Sequence, residues 1–404
     1  MPIDIDAVRS AYPALTEGYC HFDGAAGTLV AEPVAAAVAG VLRAAVANRS
    51  TAFAPGRRAV EIVDEARAAV ADLVGGAAGG VVFGSSATSL TYLVSRTLGR
   101  SWGPGDEVVV TRLDHDANVR PWIQAAERAG ATVRVADVDL ATGTLPTANV
   151  TGLINERTRL VAVTAASNAI GSRPDVPAIA AAARAVGALC YVDGVHATPH
   201  QPTDIGTLGA DFYVTSAYKW SGPHIAACVA APELWASLRP EKLNPSSDAS
   251  PDRFEHGTPS FELLAGVTAA VEHLASLDPA ATGTRRERLL GSLAAAQAYE
   301  MALFEKLVAG LAAIDGVTML PAPADRAPTV AFRIDGQHPT ATSEALGEQG
   351  ICAFAGDYYA FEYFTAMGLR DSGGAVRASV YHYTGEGDVD RLVTALQGLA
   401  RRPL

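Results

Sequence analysis

The chain has 404 residues, 49% of them hydrophobic, and a formal net charge of -12, enough length and apolar content for two or three domains with a substantial core. With no Lys/Arg-rich run, it lacks the clustered positive charge that nucleic acid or an anionic membrane surface requires, which leaves small-molecule chemistry as the class to pursue. The amino-terminal MPIDIDAVRSAYPAL has no basic region followed by an apolar run, and no stretch approaches a membrane span, so the expectation is a cytoplasmic protein. Cys20, Cys190, Cys228 and Cys352 are far apart and form no CxxC pair, which suggests neither a metal site nor a disulfide framework.

Short β-rich runs alternate with Ala-rich helical segments, the α/β pattern. In chain order, Val63, Ala66, Val70, Leu73 and Val74 share one helical face and stop at Gly75-Gly76, a glycine stop signal. VVF (81–83) reads as a strand, Gly84-Ser85-Ser86 as a turn, and Leu90, Leu93, Val94, Thr97 and Leu98 as the inner face of the next helix. EVVVT (107–111), TVRVA (132–136), LVAVTAA (160–166), LCYVD (189–193), DFYVT (211–215) and IAACVA (225–230) are further strands; several are continuous apolar runs, as expected of strands covered on both faces. A helix from Gly283 to about Ala313 leads to a smaller unit containing VTML, TVAFRI and VRASVY. The expected organisation is an N-terminal segment (1–20) that packs with the small domain, a large domain (21–282) with a mostly parallel sheet, and a connecting helix with a small C-terminal α/β domain (283–404).

Gly84-Ser85-Ser86-Ala87-Thr88 joins a strand to a helix, so free backbone N–H groups and small hydroxyls point at one spot, a geometry that serves an anion site or an ordinary serine N-cap. It matches neither GxGxxG nor GxxxxGK[ST], so a nucleotide is not the natural anion. Asp193 ends LCYVD, where a carboxylate either faces a crevice of an open α/β sheet or begins a turn. His115 and Asn168 also sit just past strand ends, and Lys219 follows FYVTSAY. Alone, each is as easily a local hydrogen-bonding residue. Together, five strand ends deliver an anion-binding turn, an imidazole, an amide, a carboxylate and a lysine. Pyridoxal 5'-phosphate (PLP), with a phosphate, a flat ring, a phenolic oxygen, a ring nitrogen and an aldehyde, asks for that set.

HFDGAAGT (21–28), GSSATS (84–89), LDHDANVRPW (113–122), RLVAVTAASNAIGS (159–172), YVDGVHATPHQPTDIGTLGADFYVTSAYKWSGP (191–223), FEHGTPS (254–260) and RASVYHYTGEGDVDRL (377–392) span nearly the whole chain. In these segments the chain resembles the class V aminotransferases, the fold-type-I group of PLP enzymes that includes cysteine desulfurases, kynureninase and isopenicillin N epimerase. The resemblance implies a PLP-transferase fold of type I and an enzyme acting on an amino acid or related amine through an external aldimine. By the same implication Lys219 forms the Schiff base, Asp193 pairs with the ring nitrogen and His115 stacks on the ring. Asn168 and His196 lie near the phenolic oxygen, and Ser85, Ser86, Ser216 and Tyr218 hold the phosphate. Thr258 reaches the phosphate of a partner subunit in a homodimer with shared sites, and Arg377 grips the substrate carboxylate, for which its two-pronged guanidinium is suited.

Departures narrow the reaction. Tyr218 stands where desulfurases typically have histidine, and His196 where they usually carry glutamine. In GICAFAGDYYAFEYF (350–364) the position of the sulfur-accepting cysteine reads Asp357-Tyr358-Tyr359-Ala360, while Cys352 falls earlier, in a strand-like position. An aminotransferase or lyase is therefore expected ahead of a desulfurase or selenocysteine lyase-like activity. Tyr358, Tyr359, Phe361 and Tyr363 would either shape a pocket for a bulky substrate or pack in the core. A PLP-binding scaffold without catalysis is the alternative of another class.

Overall fold

The computed structural model describes residues 3–401. Thirteen strands form three sheets: β1 (Cys20–His21), β2 (Val81–Gly84), β3 (Glu107–Thr111), β4 (Thr132–Ala136), β5 (Thr158–Thr164), β6 (Leu189–Asp193), β7 (Phe212–Ser216), β8 (Ala226–Ala230), β9 (Val317–Met319), β10 (Thr329–Ile334), β11 (Ile351–Cys352), β12 (Phe354–Gly356) and β13 (Ala375–Ser379).

The large sheet has the order β2-β8-β7-β6-β5-β3-β4. Its strands run parallel except β8, which is antiparallel to both neighbours. β3, β7 and β8 are buried along their whole length, as the continuous apolar runs predict, whereas the edge strand β4 alternates between exposed and half-buried positions. Parallel strands require crossovers, and helices such as Ala87–Gly99 (between β2 and β3) and Val176–Ala185 (between β5 and β6) provide them on the two faces. The helix predicted to stop at Gly75 does so, with Gly75 in left-handed backbone at φ 73.

Because β2, β3, β5, β6 and β7 all point the same way, their carboxyl ends lie along one edge of the sheet. That is where the chemistry-bearing residues of the sequence collect. A small antiparallel sheet, β12-β13-β10-β9, carries Arg377 on β13 opposite Ala331 and Phe354. The helix Arg285–Ala312 begins with a capping box in which Thr284 and Glu287 exchange hydrogen bonds. No helix among the described residues is long and apolar enough to cross a membrane.

Candidate active site

A cleft at the carboxyl edge is lined by Ser86, Thr88, His115, Asn168, Asp193, His196, Ser216, Tyr218 and Lys219, with Thr164 and several small residues between them. Nine of these positions come from the ends of five strands or the turns that follow. Ser86 caps the helix Ala87–Gly99: its Oγ accepts from Ser89 N at 3.0 Å and its N–H donates to Ser89 Oγ at 3.1 Å. The turn is thus both an N-cap and a helix start facing the cleft, where the positive end of the helix dipole favours an anion.

Lys219 follows β7 in a single helical turn and is buried, with Nζ donating to the carbonyl of Ala25. Burial lowers its amine to about 7, Arg377 adding to the effect and Asp193 and Asp23 opposing it. A neutral, nucleophilic amine is therefore accessible near physiological pH. Asp193 Oδ1 accepts from Val195 N at 2.9 Å; burial raises its carboxyl to about 6, against this hydrogen bond and the attraction of Lys219. A buried carboxylate raised by desolvation is one that a protonated partner would stabilise. The chain turns away after Asp193 because residue 194 is glycine: a Cβ there would collide with the ring of Tyr213.

His115 Nδ1 accepts from Ala117 N at 3.0 Å, so in the neutral ring the proton resides on Nε2. Burial, with Lys219 and Arg377 adding to it, depresses its pKa to about 3. His196 pairs through Nε2 with Thr329 Oγ1 at 2.9 Å and is likewise held neutral, chiefly by burial. Asn168 donates from Nδ2 to the carbonyl of Tyr358 at 2.8 Å, and its Oδ1 is buried without a partner. Tyr218 stacks on His224, ring centroids 4.9 Å apart and planes 4° off parallel.

Arg377 is brought to this edge from the small sheet. Its Nη1 donates to the carbonyl of Asn168 at 2.8 Å, its Nη2 to Asp23 Oδ1 at 3.2 Å, and its Nε is buried with no partner. Ser85 and Thr258 lie elsewhere: both are exposed and line a neighbouring depression with Ser89, His224 and Pro259. Within one chain they do not join the cleft residues.

Several contributors were not singled out from sequence. The carbonyl of Ala25 and the carboxylate of Asp23 come from the FDGAAGT segment, whose Gly-Ala-Ala-Gly composition was the available signal for close backbone approach. Thr28 fastens that segment to the lysine turn, its N and Oγ1 donating to the carbonyl of Tyr218 at 2.9 and 3.1 Å. Among the described residues no group of His, Cys, Asp and Glu could hold a metal ion.

The residues fit PLP. A helix start can take the phosphate, Asp193 offers a buried carboxylate for the ring nitrogen, and the unpartnered Oδ1 of Asn168 is an acceptor for a hydroxyl. A buried amine of lowered pKa stands at the same edge.

The sequence profile described as aminotransferase class-V matches residues 20–392. The chain is 38% identical over 400 residues to an uncharacterized protein of Mycobacterium tuberculosis, covering 99% of this chain and 100% of that one. It is 33% identical to a probable cysteine desulfurase of Pseudomonas aeruginosa, covering 96% of each. Among solved structures, the apo cysteine desulfurase of Thermococcus onnurineus superposes with a TM-score of 0.87 at 25% identity over 99% of both chains. A cysteine desulfurase of Escherichia coli gives 0.84 at 26% identity over 98% of both.

Proposed function

The chain belongs to the class V aminotransferase family of PLP-dependent enzymes, and on that footing we propose that it carries PLP on Lys219 and acts at the α or β carbon of an amino acid, by amino transfer or elimination. The observation that supports this best is the convergence of Lys219, Asp193 and the Ser86 helix start on one cleft.

Bound PLP supplies an electron sink for negative charge developing at the substrate's α carbon. In this reading Asp193 holds a proton at the ring nitrogen, and His115 packs on the ring face as a neutral imidazole. Asn168 and His196 flank the phenolic oxygen, while Ser86, Ser216 and Tyr218 bind the phosphate. Lys219 Nζ, once free of the cofactor, takes and returns a proton at the α carbon, a role its lowered pKa suits. Arg377 binds the substrate carboxylate through its unpartnered Nε, after loosening one of its present contacts. Thr258, exposed and outside the cleft, serves the phosphate of a second copy in a homodimer, while Ser85, next to Ser86 but facing the neighbouring depression, is left without a phosphate role.

Cysteine desulfurization is the second reading, favoured by the names of the relatives. Against persulfide formation stands the state of the thiols. No cysteine lines the cleft, and burial pushes all four thiols up, Cys20 and Cys190 to about 12.

Borohydride reduction of the yellow holoenzyme followed by peptide mapping tests the assignment: a pyridoxyl label on Lys219 is expected, and a label on any other lysine would refute it. A panel of amino acids and amines, with the visible band followed and keto acid, ammonia, alanine and sulfide quantified, separates the reactions. A band that no candidate perturbs would favour a PLP-binding scaffold.

A further inference from the structure

Tyr358 and Tyr359, in the loop after β12, both adopt left-handed backbone, at φ 52 and 59; among the described residues Ser221 is the other non-glycine at positive φ. Bulky side chains disfavour this region, so such a conformation persists only where its surroundings over-determine it. Here the surroundings include two cleft residues, Asn168 and His115.

The carbonyl of Tyr358 accepts from Asn168 Nδ2 at 2.8 Å, and the carbonyl of Tyr359 accepts from Asp116 N at 2.7 Å. The Tyr358 hydroxyl donates to the carbonyl of Ala375, and its ring lies 4.4 Å from the guanidinium carbon of Arg377. The ring of Tyr359 stacks on His115, centroids 5.4 Å apart and planes 24° off parallel. One dipeptide thus touches the amide, the guanidinium and the imidazole.

His115 lines the cleft and Tyr359 does not. Tyr359 is also 73% exposed, so its ring covers the imidazole from outside. We propose that Tyr358 and Tyr359 form a positioning clasp: Tyr359 backs His115 against the cofactor ring, and Tyr358 sets Arg377 and Asn168. This rests on the reading of the cleft as the PLP site. The strained backbone has a direct use in it, because φ values of this sign turn two successive carbonyls toward Asn168 and Asp116 while the two rings diverge to Arg377 and His115. The positive charges of Lys219, which lines the cleft, and of Arg377 also hold His115 neutral. The clasp adds the exclusion of water from its outer face.

The test uses holoenzyme reconstituted with PLP and selectively labelled in histidine, in wild-type, Tyr359→Phe, Tyr359→Leu and Tyr359→Ala forms, with the His115 resonance assigned through His115→Asn. We expect His115 to stay neutral down to pH 5 in the wild type and in Tyr359→Phe. In Tyr359→Ala it should protonate measurably above pH 5, with an altered visible band of bound PLP, and Tyr359→Leu should fall between. An unchanged His115 titration and band in Tyr359→Ala would overturn the clasp, as would a Phe variant that behaves like Ala. Tyr359 is exposed, so these variants leave the core intact. Failure of the PLP reading is distinguishable, because it shows in the wild type as absence of a Lys219 label whatever residue 359 does.

Discussion

His200 Nδ1 lies 2.7 Å from Glu300 Oε2, with the carboxylate fully buried in the middle of the helix Arg285–Ala312 and the imidazole nearly so. The other carboxylate oxygen is 3.5 Å from His382 Nδ1, too long for a good hydrogen bond. His382 Nε2 continues to the hydroxyl of Tyr12 at 2.8 Å, which also meets His273 at 2.9 Å and Ser221 at 2.7 Å. Burial alone would raise the Glu300 carboxyl, and the two imidazoles more than reverse it, holding it below the usual carboxylate range. The network ties the N-terminal segment, the lysine turn, the long helix and the segment after β13 at one point. Glu300→Ala should therefore destabilise the protein by about 1–3 kcal/mol, the usual cost of leaving a buried hydrogen-bonding group without its partner. Glu300→Gln, which keeps one hydrogen bond, should cost less. Denaturant midpoints check both, and an Ala variant within about 0.5 kcal/mol of wild type would refute the role.

Stability should fall on mild acidification. Burial holds His115 and His273 down to about 3 and depresses His196 and His382 as well. Below the ordinary histidine value of about 6.5, the unfolded chain takes up protons that these native imidazoles refuse, so stability is lost as pH falls. Asp114, raised by burial to about 8, and Asp193, raised by burial to about 6, act in the opposite sense, since the native state binds their protons first. Asp211, also raised by burial, acts with them, so four imidazoles stand against three carboxyls. The expected net is a decline on the order of 1–3 kcal/mol per pH unit below pH 6, from about 1.4 kcal/mol per uncompensated proton. Urea midpoints of the cofactor-free protein at pH 7.5 and pH 5 measure it; equal midpoints would contradict the neutral-histidine assignment.

Asp193→Asn should weaken PLP retention at least about 30-fold, the equivalent of the roughly 2 kcal/mol lower bound for removing one partner of a buried hydrogen-bonded charge pair. The substitution keeps the size of the side chain and, at Oδ1, an acceptor for Val195 N, so the fold should persist. Equilibrium dialysis of PLP against both forms gives the ratio. Retention within threefold of wild type would mean that Asp193 does not face the ring nitrogen.

The large sheet was legible because strands covered on both faces are largely apolar, and EVVVT and LCYVD coincide with β3 and β6 residue for residue; the edge strand β4 also coincides with TVRVA, where β-branched residues alternate with a charge. β1 and β11 were not, since two-residue strands show no periodicity and pair Cys20 with Ile351 across most of the chain. The same division holds in the cleft. Residues that end parallel strands announce themselves by position, as Asp193 does. Contacts such as Asp23 with Arg377 or Tyr358 with Asn168 join distant segments through side chains that are locally ordinary. Glu300 reads as one more polar residue on a long helix, and only the packed fold reveals that it faces inward.

A thiol that accepts sulfur must be a thiolate and must come within about 3–3.5 Å of the atom it attacks. Cys352 meets neither condition. It sits in β11 paired with His21, half-buried and outside the cleft lining, and burial with the nearby Asp23 pushes its thiol up. The loop that follows places Tyr358 and Tyr359 against the cleft residues, and tyrosine, with a pKa near ~10, offers no sulfane-sulfur acceptor. With L-cysteine as substrate the holoenzyme should therefore form no protein persulfide, and any sulfide should arise by elimination, accompanied by keto acid and ammonia rather than alanine. Cys352→Ser should leave that sulfide release within about twofold of wild type, since surface and strand-edge substitutions away from a site rarely shift more than about 0.5 kcal/mol. Alanine and sulfide are quantified together, and persulfide is mapped by alkylation. If alanine formation collapses in Cys352→Ser and a persulfide maps to Cys352 in the wild type, the chain is a desulfurase with a displaced nucleophile, and the loop bearing Tyr359 has to swing aside during turnover.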